Sequence, residues 1–430
     1  MPSKKIGPGS EVEIQTTSRK LKGILLDSHQ KGVTVVKLSS GYNLGIKSSK
    51  IKHWKVLKAP EKKGGERKPK SVSKKNDLPE ITILHTGGTI ASKVDYRTGG
   101  TYAGFSPDDI LALFPELGSI ASVRSELFRN MWSDDLRVSH FTLLAKRIES
   151  EIKKGVQGII ISMGTDNLAV CAAALSFIVQ KSPIPIILVG AQRSSDRPSS
   201  DASLNLISAA YFIAQTDFAG IAICMHHAES DEWCAILPPA KTRKLHTSKR
   251  SAFKAVGCEP IALVSLSEGV KFSSPDYLKR DAGRKPVIRP EMEEKVGLIK
   301  VSINMFAQQF QVFKGFKGLV IEGTGLGHTP GDCIDNLTKE HPKIISAIKS
   351  LADKGTVIVM TSSCINGSVS MNVYSKGRDL LAAGVIPGAD MLSETALVKL
   401  SWLLANFSRE EAKMKIQENL VGEIQERLLP

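Results

Sequence analysis

Two threonines stand where covalent chemistry could be done. Thr89 closes the stretch Thr86-Gly87-Gly88-Thr89 behind the apolar run 81–84, and Thr165 lies in Met163-Gly164-Thr165-Asp166-Asn167, directly behind the run 158–162. A threonine hydroxyl becomes a nucleophile when a base takes its proton. Glycines at such turns let the backbone approach a ligand and adopt positive φ. Amides opening a helix behind Asp166 could hold a carboxylate or a developing oxyanion. A third polar stretch, residues 241–250, supplies amines, Lys244 among them. The first of the glycine turns is no phosphate cradle, because no lysine follows its glycines as GxxxxGK[ST] requires. Gly323-Thr324-Gly325-Leu326-Gly327-His328 lacks the third spaced glycine of a dinucleotide loop.

The elements that must position these residues follow from hydropathy patterning. The runs 81–84, 158–162, 184–189, 221–225, 319–321 and 357–360 are continuously apolar, and most lead through a Gly/Ser/Thr/Asp loop into a helical segment. That βα rhythm predicts a parallel sheet covered on both faces, with the ligand beyond the carboxyl ends of the strands. The apolar run 168–179 is too short to span a membrane and reads as a buried helix. Before residue 60 the pattern differs. Short alternating runs at 11–14, 22–26, 33–38, 42–46 and 51–56 predict a small five-stranded β-barrel of SH3-like type.

These readings divide the chain into a barrel over 1–58, a Gly/Pro/Lys-rich linker over 59–78, a larger α/β unit over 79–285 and a smaller one over 296–430. Residues 1–75 carry 19 Lys and Arg against 5 Asp and Glu, almost the whole net charge of +15. An excess gathered at one end is the pattern of a nucleic-acid contact. The opening MPSKKIGPGS lacks the apolar core of a signal peptide, and the six scattered cysteines show neither CxxC nor zinc spacing, so a cytoplasmic protein with reduced thiols is expected. His85, His226 and His227 read as core or loop histidines, with no metal assigned.

TGGTIA (86–91) and GTD (164–166), in this order, are similar to the two signature motifs of the type I/II L-asparaginase family. The resemblance runs over essentially 80–425 and includes VGAQRSSDRPSSDASLNL (189–206) and TSSCINGSVS (361–370). The basic barrel, GYNLGIK (41–47), HTSKRSAFKAV (246–256) and SETALVKLSWLLAN (393–406) together resemble the asparaginase-like D subunits of archaeal glutamyl-tRNA(Gln) amidotransferases.

The resemblance implies an asparaginase-like, two-domain parallel-sheet α/β fold behind the SH3-like barrel. It makes Thr89 the nucleophile and groups Thr165, Asp166 and Lys244 as a second catalytic cluster. There a lysine kept neutral by burial would relay the proton, while Asp166 orients it and engages the substrate ammonium. A carboxylate about 4 Å from an ammonium is worth about 4 kcal/mol at an effective dielectric near 20, which opposes that deprotonation. Gly88 and Gly164 would line the substrate, Tyr96 in VDYRTGG would belong to a closing lid hinged at Gly99 and Gly100, and Arg129 lies in FRNM (128–131), where the family's substrate-carboxylate loop falls.

The implied reaction is glutamine hydrolysis. Its ammonia would pass to a partner, the amidotransferase E subunit, which uses ATP and Mg2+ to convert Glu-tRNA(Gln) to Gln-tRNA(Gln), around a homodimer within a heterotetramer. No metal or cofactor is implied for this chain. Met163 and Asn167 replace the His and Thr of the usual HGTDT, and FRNM lacks the usual serine or acidic residues, which touches substrate preference and rate. A free-standing L-asparaginase with an added barrel, or a non-catalytic tRNA-binding scaffold, are the competing readings.

Overall fold

The computed structural model describes residues 7–17, 19–26, 28, 32–38, 43–58, 78–88, 92–94, 101–103, 114, 116–193 and 200–426. In the first strand, β1 (Glu11–Thr16), Val12, Ile14 and Thr16 point inward by the two-residue period of a pleated strand. It joins β2 (Lys20–Leu26), β3 (Val33–Leu38), β4 (Asn43–Lys47) and β5 (Ile51–Lys58) in an antiparallel sheet of order β4-β3-β2-β1-β5. Val12, Ile14, Leu25, Val36 and Ile46 form one core, against which Trp54 and Val56 of β5 pack. Side chains from all five strands line that one core, on the single face that the alternation predicts.

The chain then lays down β6 (Glu80–His85), a short hairpin of β7 (Ser92–Val94) and β8 (Thr101–Ala103), β9 (Ser122–Leu127), α1 (Val138–Lys153), β10 (Gly158–Ser162) and α2 (Leu168–Ile178). It continues through β11 (Pro185–Val189), α3 (Ala202–Gln215), β12 (Gly220–His226), β13 (Cys234–Leu237), the hairpin β14 (Thr242–Lys244) and β15 (Phe253–Ala255), β16 (Ala262–Ser265) and β17 (Gly269–Phe272). Eight of these strands form one sheet of order β17-β16-β13-β12-β11-β10-β6-β9. From β9 to β12 it is parallel, and β10 and β11 are buried along their whole length, which is why they read as unbroken apolar runs.

Beyond β12 the sheet departs from the all-parallel expectation. β12, β13, β16 and β17 pair antiparallel. The connection over 227–233 is too short for the crossover that parallel pairing needs, so the chain can only turn back.

A second sheet, parallel throughout, has the order β18 (Val296–Lys300), β19 (Gly318–Gly323), β20 (Val357–Ser362) and β21 (Val385–Pro387). With it run α4 (His341–Asp353), α5 (Ser375–Ala382), α6 (Ser393–Asn406) and α7 (Arg409–Lys415). The largest core is common to both sheets: Ile159 and Leu188 share it with Phe177 of α2 and with Val320, Leu400 and Trp402. Phe177 and Trp402 stack with ring centroids 6.1 Å apart. The polar stretch before β18 is stitched into this seam. The Arg289 amide donates to the Ile178 carbonyl, Trp402 Nε1 donates to the Arg289 carbonyl at 3.0 Å, and Ser401 Oγ donates to the Glu293 carbonyl at 2.6 Å.

Candidate functional site

Parallel pairing of β6 with β10 aligns His85 with Ser162, so the two glycine turns leave the sheet side by side. The Thr86 amide donates to the Ser162 carbonyl at 3.0 Å. Gly87 and Gly88 then take φ of 103° and 81°, backbone that residues with a Cβ rarely adopt. A Cβ at Gly88 would fall 2.2 Å from the amide nitrogen of Gly164, and one at Gly87 would fall 2.5 Å from the carbonyl oxygen of Met131. The glycines are there because three backbone segments converge. The third is the loop after β9, whose Phe128 and Arg129 amides donate to the His85 carbonyl and whose Met131 amide donates to the Thr86 carbonyl.

His85 is a structural residue. Its ring bridges Ser162 Oγ at 2.6 Å and Ser125 Oγ at 2.7 Å, tying β10, β6 and β9 together. Burial pushes its imidazole down to about 4, so it is neutral at pH 7.

Thr165 is buried at the end of β10, and Asp166, next in sequence, is exposed. Lys244, at the end of β14, reaches both: Nζ lies 2.8 Å from Thr165 Oγ1 and 2.7 Å from Asp166 Oδ1. The lysine side chain is 14% exposed, while Leu245 to Lys249 behind it are open to solvent. Lys244 turns inward and joins a hydroxyl and a carboxylate through one amine. A cleft of about 180 Å³ opens beside it, between Asp166, Lys244 and Ala169 on one side and Leu392, Glu394 and Thr395 on the other.

The two departures from the HGTDT pattern have structural uses. Met163 is buried in the main core. Asn167 precedes α2 and fastens the turn to Ser133: its amide donates to Ser133 Oγ at 3.3 Å and its Nδ2 to the Ser133 carbonyl at 2.9 Å. Ser133 was not marked by the sequence; the only signal is its place ahead of Asp134 and Asp135, in a short 3-10 turn.

Gly88, Gly164, Thr165, Asp166 and Lys244 are therefore gathered at the carboxyl ends of adjacent strands. Arg129 is on the neighbouring loop, but its guanidinium lies over the Phe128 ring at 5.1 Å and donates to the Phe128 carbonyl, not into the cluster. Thr89 and Tyr96 lie outside the described residues. Among the described residues no group of three or more His, Cys, Asp or Glu could hold a metal ion, and no helix is long and apolar enough to cross a membrane.

Comparison with known proteins matches three family models: Asparaginase, N-terminal over residues 80–277, Glutaminase/Asparaginase C-terminal domain over 295–417, and GatD N-terminal domain over 6–57. The chain is 41% identical over 426 residues to the D subunit of the glutamyl-tRNA(Gln) amidotransferase of Pyrococcus furiosus, covering 98% of this chain and 93% of that one. It is 41% identical over 428 residues to the corresponding D subunit of Methanococcus maripaludis, covering 98% and 99%. Among solved structures, the thermostable L-asparaginase of Thermococcus kodakarensis superposes with a TM-score of 0.69 at 29% identity, over 80% of this chain and 99% of its own. L-asparaginase I of Vibrio cholerae gives 0.68 at 25% identity, over 81% and 99%.

Proposed function

Because this chain belongs to the family of glutamyl-tRNA(Gln) amidotransferase D subunits, whose α/β part is an asparaginase-like amidohydrolase, we propose that it hydrolyses glutamine and supplies the ammonia to a partner. The observation that carries the reading is the Lys244 amine, within hydrogen-bond reach of Thr165 and Asp166 beside the Gly88–Gly164 contact.

Thr89 attacks the carboxamide carbon of glutamine. The bond to nitrogen then breaks, and ammonia departs with a proton relayed through the Thr165–Lys244 pair. Water next attacks the threonine ester and releases glutamate, returning a proton to the Thr89 oxygen. Asp166, open to solvent, holds the Lys244 amine and receives the α-ammonium of the substrate. Gly88 and Gly164 let main chain pack close to the amide, and Tyr96 closes over it. The partner is the amidotransferase E subunit, which with ATP and Mg2+ converts Glu-tRNA(Gln) to Gln-tRNA(Gln) in the cytoplasm, and the chain works as a homodimer within a heterotetramer.

The test is ammonia release from L-glutamine by purified, folded variants. Thr89→Ala, Thr165→Ala and Lys244→Ala should each lose at least about a thousandfold in kcat, as removal of acid–base and nucleophile partners does. Retained turnover in Thr89→Ala and Thr165→Ala together rejects the assignment. The likeness to L-asparaginases over 80% of the chain favours a second reading, a free-standing asparaginase. Glutamine turnover that rises on adding the partner and Glu-tRNA(Gln) supports the first reading; fast asparagine turnover by the chain alone supports the second.

A further inference from the structure

Three residues before Lys244 the hairpin meets a distant part of the chain. Lys241 is buried, and its ammonium donates to the Asp390 main-chain carbonyl at 2.9 Å and to the Asp390 carboxylate at 2.6 Å. Both side chains are nearly solvent-free, at 1% and 3% exposure. The other Asp390 carboxylate oxygen accepts the Gln425 amide at 3.1 Å. Asp390 follows Ala389, whose φ of 53° is left-handed, a conformation that an alanine keeps only when its surroundings impose it. Two contacts flank the pair: Thr395 Oγ1 donates to the Ala240 carbonyl at 2.9 Å, and Arg243 pairs with Glu394 at 3.1 Å. Ala240, Lys241 and Arg243 are thus each held by α6 or by the loop that feeds it, and Lys244 comes next.

A hairpin as short as β14–β15, paired from Thr242↔Ala255 to Lys244↔Phe253, has little stability of its own. A buried ion pair adds little net stability over an apolar pair of the same volume, but it fixes which groups face one another. We infer that Lys241 and Asp390 are positioning residues, whose buried pair sets the register of β14 so that the Lys244 amine meets Thr165 and Asp166. This rests on the proposed role of Lys244. Among the described residues, Cys258 and Glu259 lie near the pair, the Arg243–Glu394 ion pair flanks it and the Lys244–Asp166 pair lies beyond, and the substitutions below leave all of these in place.

The full chain is assayed for ammonia release from L-glutamine and L-asparagine as wild type, as Lys241→Met/Asp390→Leu, and as Lys244→Ala. The double substitution removes both charges and leaves neither unpaired. It should melt within a few degrees of wild type, yet lose at least about tenfold in kcat with KM changed less than about threefold, as a misplaced catalytic amine does. Its pH–rate profile should also be displaced, because the amine no longer meets the same two oxygens. A pair that serves only the fold would lower the melting temperature and leave the pH–rate profile of the folded enzyme unmoved. That result, or a wild-type kcat in the folded double variant, overturns the inference. If the double variant does not fold, Asp390→Asn, which keeps the shape and an acceptor oxygen but removes the charge facing Lys241, is read by the same two criteria. Lys244→Ala separates the two failures: wild-type turnover there overturns the proposed function, whereas an inactive Lys244→Ala beside a normal double variant overturns the positioning role alone.

Discussion

A methyl group at Gly88 would have backbone in front of it, with the nitrogen and Cα of Gly164 at 2.2 and 2.5 Å, and it would also sit on a φ of 81°. Gly88→Ala must therefore push the two strand ends apart, and a displacement of about 1 Å at a reacting centre costs about a hundredfold in rate. Kinetics of ammonia release should show that loss; a near-normal rate would mean the ends need not touch. His85 makes a different prediction. Its folded-state value of about 4 lies below the ordinary 6.5, so its contribution is complete above pH 6.5 and is lost as the pH falls towards 4. The loss runs at about 1.4 kcal/mol per pH unit, about 2 kcal/mol by pH 5. Urea unfolding at pH 7 and pH 5 should show that extra loss in wild type relative to His85→Gln. Thr165, Asp166 and Gly164 were marked in the sequence because they directly follow an unbroken apolar run, and the structure sets the threonine and the aspartate beside Lys244. Lys244 was legible only through the family likeness, since composition cannot choose one amine from a basic run. Lys241 went unmarked because nothing local distinguishes it, and the acid that buries it, Asp390, lies 149 residues away.

Among elements, the unbroken apolar runs predicted the parallel strands because burial on both faces leaves no polar position to alternate with. The antiparallel extension from β13 to β17 was not legible in the same way, since it depends on the length of one connection rather than on periodicity. The packing of α2 on α6 was equally hidden, because each helix is apolar over most of its surface and names no partner. Trp402 joins them. It stacks on Phe177, donates to the Arg289 carbonyl and is buried almost completely. Trp402→Ala should cost about 3–5 kcal/mol in urea unfolding. A loss below about 1 kcal/mol would show that the seam closes without it.

For the whole molecule, the partition of charge carries the expectation. The acids of β1 are already paired, Glu13 with Lys20 and Glu11 with Lys22, so the barrel presents its basic excess outward. Removing residues 1–75 should weaken tRNA binding and flatten its dependence on salt, because released counterions scale with phosphate contacts. Glutamine hydrolysis should persist, since solved L-asparaginases match the rest of the chain over 99% of their own length. Unchanged tRNA affinity in a filter-binding titration would remove the barrel from the contact.

The stitched segment before β18 also bears on how substrate gets in and out. Thr142 and Ile178 on one side, and Ser401 and Trp402 on the other, hold residues 288–293 by their main chain. Rocking the two sheets apart would tear those bonds along with the shared core, so substrate does not enter by the sheets parting. A protease nick within 288–293 would accordingly give two bands on a denaturing gel and a single particle on a native one.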